Sequence, residues 1–304
     1  MSVDVSRHLW NARVDPRRRT YGIGLYTHLL DQWGIIYDQP VVLNERQAGV
    51  AIEGVVRQTN TLLQRLAVDT HGYTHLGMAV SKLVGFDLCP RLKNLRERRL
   101  HVPREMAVPD ELLPIVDRSL SLDMVEAGWD QFVRLAASIE GGWTSAALAL
   151  GRLGAAARGD PLHKTGEALG KLLRSLFLCD YFTIMPFRRE LLRLLNHGEL
   201  VHTLQRAIHV GSLAAARGRR HEELAALSGA LTLLANLTMA WTTHHLQQVV
   251  EQSTRDGHPV REELLRHIVP VHVAAINFRG TFHFPLDRYV QRLIPERNRR
   301  TATS

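Results

Sequence analysis

Leu66-Ala67-Val68-Asp69-Thr70-His71-Gly72-Tyr73-Thr74 is the stretch on which the reading of this chain turns. A short apolar run ends in an acid, and a turn containing Gly72 follows. His75 to Val84 then carries Leu76, Ala79, Val80, Leu83 and Val84 at helical spacing. Strand, acid, turn and helix put a carboxylate at the C-terminal end of a strand, where α/β folds gather reactive groups. Asp before a turn and a helix is also a common helix cap, so pattern alone leaves Asp69 either a site residue or a cap.

Outward from this motif, the chain reads as an α/β protein in four segments. In the first, residues 1–111, Arg19 to Trp33 and Ile35 to Leu43 pattern as strands with a turn near Gly34. Arg46 to Gln58 patterns as a helix, Thr74 to Val84 as a second, and Phe86 to Arg91 as a short strand ending at Pro90. These elements begin an α/β/α sandwich. Leu95 to Leu112 is a charged connector with Pro103 and Pro109. Residues 112–196 read as almost all helix, with Leu169, Leu172, Leu173, Leu176 and Phe177 at helical spacing and breaks at Gly141-Gly142 and Gly159-Asp160-Pro161. Residues 197–290 hold two long helices and a tail with Pro270, Asn277 and Gly280. Residues 291–304 end in a polar, Arg-containing run that reads as disordered.

The balance of charge is basic: 38 Lys and Arg against 30 Asp and Glu give +8, with a pI near 10.0. A polyanion such as nucleic acid is the natural partner of such a surface, and simple solubility is the bland alternative. Cys89 and Cys179 alone form neither a disulfide framework nor a zinc pattern, which fits reduced thiols in a cytoplasm. The first twenty residues hold Arg7, Arg13 and Arg17 to Arg19 and no apolar core of a secretion signal. Leu224 to Trp241 has no charged residue but carries Ser228, Thr232 and Asn236 on one helical face. It reads as a buried helix of a soluble core rather than a membrane span.

Several motifs, taken in order, resemble one family. Tyr26-Thr27-His28 with Asp31-Gln32, then Asp69-Thr70-His71-Gly72-Tyr73-Thr74, resemble the strand and second acidic motif of the Tn-three family of transposases. Leu83-Val84-Gly85-Phe86, Pro90-Arg91 and Leu95-Arg96 are similar to the segment that follows. His197-Gly198-Glu199, then Leu204 and Arg206-Ala207-Ile208, resemble the third acidic motif, and Ile276-Asn277 with Gly280 the C-terminal signature. Each is weak alone; in this order along nearly the whole chain they are specific together. Two positions depart from the pattern. His75 stands where many relatives have an acid, and Ala275 where relatives usually have His.

The resemblance implies a catalytic domain of the type named for its Asp, Asp and Glu, with an RNase H-like fold. It also implies a large helical insertion and a helical C-terminal part. It implies three catalytic, metal-binding carboxylates: Asp4, Asp69 and Glu199. Asp4, in Ser2-Val3-Asp4, matches the family's Ser-Asp motif but is followed by Val5 where Gly is usual; Asp15 competes for the role, although Asp15-Pro16 reads as a turn. Glu199 reads as opening a helix with apolar face Leu200, Leu204, Ala207 and Ile208, where the helix dipole alone would also favour an acid. Two Mg²⁺ or Mn²⁺ ions are implied, because phosphodiester chemistry stabilises both an attacking and a leaving oxygen and hard cations take oxygen ligands. The implied partners are DNA, both transposon ends and target, and a second copy in a homodimer, with no membrane. The implied setting is a bacterial cytoplasm, at the nucleoid. Arg91, Lys93, Arg96, Arg98 and Arg99, and Arg217, Arg219 and Arg220, are the candidate phosphate contacts, each also readable as a solvated loop residue. End-recognition domains precede this region in longer relatives, so the chain reads as the catalytic portion of a replicative transposase. The alternative is an inactive remnant that binds DNA without sequence preference.

Overall fold

The computed structural model describes residues 2–9, 11–16, 19–43, 47–58, 63–155, 159–209, 221–265 and 267–278. Arg17, Arg18, Arg217, Arg219, Arg220, Gly280 and the tail 291–304 lie outside the described residues. The chain divides into two compact units, Met1–Val271 and His272–Ser304. Within the described part of the second unit there is one 3-10 turn, Val273–Ala275.

Among its described residues, the first unit is a mixed α/β structure, mostly helical, with three separate small sheets. The largest is antiparallel and is built around β3 (Tyr21–Leu29). Strand β1 (Ser2–Asp4) and strand β2 (Arg13–Val14) both meet β3 at Gly22, so they flank it on opposite edges. Strand β4 (Ile35–Val41) forms a hairpin with β3, and its Val41 faces Gly24 across from Ser2. The second sheet pairs β5 (Arg65–Val68) with β6 (Asp87–Pro90) in parallel. Helix α2 (His75–Leu83) makes the crossover between them. The third pairs β7 (Leu100–Pro103) with β8 (Val116–Leu120), also in parallel. The connector and the start of the helical segment therefore contain strands, where the pattern predicts loop and helix. Val116-Asp117-Arg118 alternates too briefly to be told from a helix end.

The core lies where α1 (Ala48–Val56), α2 and the helices of the middle segment converge on β5 and β6. Ile52, Val80, Leu88, Phe132 and Ile139 are at its centre. A second, smaller cluster (Val3, Ile23, Leu25, Leu224 and Leu231) packs the antiparallel sheet against α7 (His221–Arg255). The middle segment comprises α3 (Asp123–Glu140), α4 (Ala146–Ala155) and α5 (Pro161–Thr183). Asp160 caps α5 through bonds of 2.8 and 3.2 Å from the amides of Leu162 and His163, with Pro161 at the first helical position, where its missing N–H costs nothing.

Two sequence expectations need correction here. Glu199 does not open a helix: α6 spans Met185–Ile208 without a break at Asn196 or Gly198, and Glu199 lies well inside it. Helix α7 packs through a mixed face, with Leu224, Leu231, Ala235 and Met239 buried beside its polar stripe. Ser228 and Thr232 face the sheet, and Asn236 clasps the backbone of Ile35, accepting from its amide and donating to its carbonyl at 2.9 Å each. The apolar residues Leu233, Leu234, Leu237 and Trp241 are exposed on the other side. The polar stripe thus lies within the packed face, among buried apolar residues, and the helix is only partly buried. An eighth helix, α8 (Glu262–Leu265), is a single turn.

Candidate active site

A cleft of about 990 Å³ opens between the β3–β4 hairpin, the end of β5 and one side of α6. Asp69 and Glu199, from two distant parts of the sequence, both border it and are both solvent-exposed. Asp69 sits just beyond Val68, at the C-terminal end of β5, as the strand-acid-turn pattern predicts. Its Oδ1 accepts hydrogen bonds from the backbone amides of His71 and Gly72, both at 2.9 Å. This is an Asx turn, not a helix cap. The cap of α2 is Thr74, whose hydroxyl accepts from the Gly77 amide at 2.9 Å. Gly72 is required by crowding: a Cβ there would press on Val68 and approach the Tyr26 hydroxyl.

The Tyr26-Thr27-His28 motif ties β3 to three different neighbours. The Tyr26 side chain lies by Asp69, and burial, then the Asp69 charge, raises its phenol pKa well above the ordinary value. Thr27 bonds Asp38 of β4 and Gln205 of α6, at 3.3 and 3.4 Å. His28 is buried against α1, with Nε2 at 2.9 Å from the Ala51 carbonyl and Gly54 leaving room for its ring. Burial lowers the pKa of His28. Asp31 and Gln32, at the hairpin tip, also border the cleft.

Helix α6 is gripped on its inner face. Trp33 of the hairpin, a non-glycine residue at φ 73°, stacks on His197 with ring centroids 3.9 Å apart. Gln205 is fully buried and donates to Thr27 at 3.3 Å and to Asp38 at 3.5 Å. Thr232 of α7 donates to the same Asp38 carboxylate at 3.2 Å. Burial pushes the Asp38 carboxyl up to about 6, against hydrogen bonds that hold it down. His202, also on the cleft side of α6, is kept neutral: burial takes it down to about 3.

Asp4 and Asp15 are placed differently. Asp15 is buried, borders the cleft and accepts a hydrogen bond from Ser2 Oγ at 2.9 Å. Asp4 lies on β1 opposite Gly22 and accepts from Thr20 Oγ1 at 2.8 Å, and it is not among the cleft residues. Ser2, on the same face of β1, does border the cleft, so Asp4 is one pleat repeat away, about 7 Å along the strand. Among the described residues no three Asp, Glu, His or Cys side chains gather closely enough to hold an ion. Asp69 and Glu199 offer the hard oxygen donors that Mg²⁺ or Mn²⁺ takes, and in that chemical sense fit such an ion.

Of the predicted cations, Arg91 borders the cleft, and Thr70 Oγ1 bonds its carbonyl at 3.0 Å, joining it to the Asp69 turn. Lys93, Arg96, Arg98 and Arg99 follow on the connector, where Arg98 Nε donates to the Lys93 carbonyl at 3.1 Å. Arg65 also borders the cleft and was not anticipated. The signal for it was its place at the start of the strand that ends at Asp69.

Comparison with known proteins identifies the assembly. A family model described as the Tn3 transposase DDE domain matches residues 1–282. The transposase of insertion sequence element IS1071 in transposon Tn5271 of Comamonas testosteroni is 47% identical over 303 residues, which cover 100% of this chain and 31% of that protein. The transposase of transposon Tn21 from Escherichia coli is 29% identical over 86% of this chain and 26% of its own length. That of transposon Tn1546 from Enterococcus faecium is 29% identical over 89% of this chain and 28% of its own length. The chain thus spans between a quarter and a third of the length of these bacterial relatives. With a family model covering nearly its whole length, the chain belongs to the Tn3 transposase DDE domain family.

Proposed function

We propose that this chain is the catalytic part of a DNA transposase that cleaves 3′ ends and joins them to target DNA in replicative transposition. What supports it is the meeting of Asp69 and Glu199 on one cleft in a chain of this family. The catalytic core would be RNase H-like, with residues 112–196, which hold α3, α4, α5 and the start of α6, as the helical insertion. Asp69 and Glu199 would hold divalent metal, Mg²⁺ or Mn²⁺, and Asp4 is the third ligand by its place in the motif. Asp15 is the second reading for that ligand, because it borders the cleft. Two such ions supply activation of the attacking oxygen and stabilisation of the leaving one.

The chain's own residues would do the rest. The Asx turn holds Asp69 at the strand end with one carboxylate oxygen given to two amides. Arg91, whose carbonyl is bonded to the Asp69 turn, and Arg65, at the other end of β5, both border the cleft and would pair with phosphates of the DNA backbone. Lys93, Arg96, Arg98 and Arg99 would extend that track, and DNA binding by this chain alone would be non-specific and salt-sensitive. The transposon ends, the target, the homodimer and the bacterial cytoplasmic setting belong to the same proposal.

The experiment is metal-dependent cleavage of a transposon-end duplex by a longer protein carrying this domain. Cleavage with Mg²⁺, lost in Asp69→Ala and in Glu199→Ala, is expected. Substituting Asp4 and Asp15 singly identifies the third ligand, since only one of them is expected to abolish cleavage. Cleavage that persists in Asp69→Ala contradicts the proposal.

A further inference from the structure

The Asp69 turn leads directly into α2, and α2 rests on one face of α5. A Cβ at Gly170 would collide with the His75 carbonyl, and one at Gly166 with the Leu76 side chain, so the two helices touch through glycine. Between those glycines, Glu167 Oε2 lies 3.0 Å from His75 Nδ1. A turn further along α5 is Arg174, buried, which donates from Nη2 to the Arg99 carbonyl at 3.0 Å. His75, the first residue of α2, is therefore held at both its carbonyl and its imidazole. The other end of the turn is fixed by Val68, which is paired in β5.

We infer that the α5 face formed by Gly166, Glu167 and Gly170 positions Asp69, with the Glu167–His75 pair as the contact that sets the turn. The helical insertion is then part of the device that aims the Asp69 carboxylate. These are positioning residues: they act through His75 and the turn, and none of them borders the cleft. Their value for catalysis rests on the proposed role of Asp69, whereas their hold on the turn does not.

Hydrogen exchange of the full chain separates the two ideas. The readout is protection of the His71 and Gly72 amides, which bond Asp69 Oδ1. His75→Glu sets two carboxylates against each other and is expected to speed exchange at those amides about tenfold, with α7 unchanged. The swap His75→Glu with Glu167→His is expected to return exchange to within about twofold of the parent. If His75→Glu does not fold, Glu167→Gln, which keeps the shape and drops the charge, is expected to give a smaller acceleration at the same two amides. Unchanged exchange in the single variants, or acceleration that the swap leaves in place, overturns the inference. In parallel, Asp69→Asn is titrated with Mn²⁺. Undiminished affinity there would remove the proposed metal role of Asp69 and leave the α5 inference standing.

Discussion

Asp69 and Glu199 border the same cleft and are held there by different kinds of structure. Asp69 is set by its neighbours in sequence: a strand end, two amides of its own turn, and a helix capped by Thr74. Glu199 lies inside a helix of 24 residues and gets nothing local. Its orientation follows from how α6 is gripped, by Trp33 on His197 and by Thr27 and Asp38 on Gln205. One acid is fixed by a motif and the other by tertiary packing across 178 residues of sequence. The difference predicts which substitutions disturb which acid.

The largest effect is expected on the Asp69 side at the α5–α2 contact. Gly170→Val places side-chain atoms into the His75 carbonyl, with backbone on both sides and no flexible group to yield. Loss of the folded state is expected, more than about 4 kcal/mol, read as absent cooperative melting. On the Glu199 side, Asn236→Leu leaves the amide and carbonyl of Ile35 without their partners at the start of β4. A loss of about 2–4 kcal/mol is expected in urea denaturation, with the α2 region keeping its hydrogen-exchange protection. If α2 loosens as well, the two supports are not separate.

A smaller effect has the opposite sign. The folded pKa of Asp38 is raised from 3.8 to about 6, so the folded state holds a proton that the unfolded chain has already released. Its stability is fully present below about pH 4 and is lost as pH rises through about 6. Asp38→Asn is therefore expected to stabilise the chain at pH 8, on the order of 1–3 kcal/mol, and to change little at pH 4. Thermal melting at the two pH values checks this; a larger gain at pH 4 would reverse the sign. Smallest of all is the effect expected of removing one proposed phosphate contact. Arg91→Ala is expected to lower DNA affinity about equally for all sequences and to reduce the slope of log K against log salt by about 1. A change in sequence preference would mean that Arg91 reads bases.

The same contrast explains what the sequence revealed. The Asp69 turn was legible because its strand, Gly72 and Thr74 are consecutive, and their local chemistry dictates the geometry. Helices α1, α2 and α5 were legible from apolar spacing, and α5 also from Asp160-Pro161. The setting of Glu199 was not, because an acid ahead of the apolar face Leu200, Leu204, Ala207 and Ile208 reads as a helix start. In the folded chain Gly198 sits inside α6 with open space around it, and nothing local forces the helix to stop. Helix α7 reads as more buried than it is for a related reason: a charge-free run suggests burial all round, yet one face packs, with Ser228, Thr232 and Asn236 lying among its buried apolar residues, and the other is exposed. Where Asp4 and Asp15 lie relative to the cleft depends on the pleat of β1 and the reach of the Asp15 loop, and both follow from strand pairing rather than composition.

The most direct test of the central claim, that Asp69 and Glu199 serve one metal site, is Mn²⁺ affinity in a double-mutant cycle on this chain. Asp69→Asn and Glu199→Gln are each expected to weaken binding by about tenfold or more, and the double variant little further, because either loss already breaks the shared site. Affinity losses that simply add, or an unchanged affinity in Glu199→Gln, would contradict it.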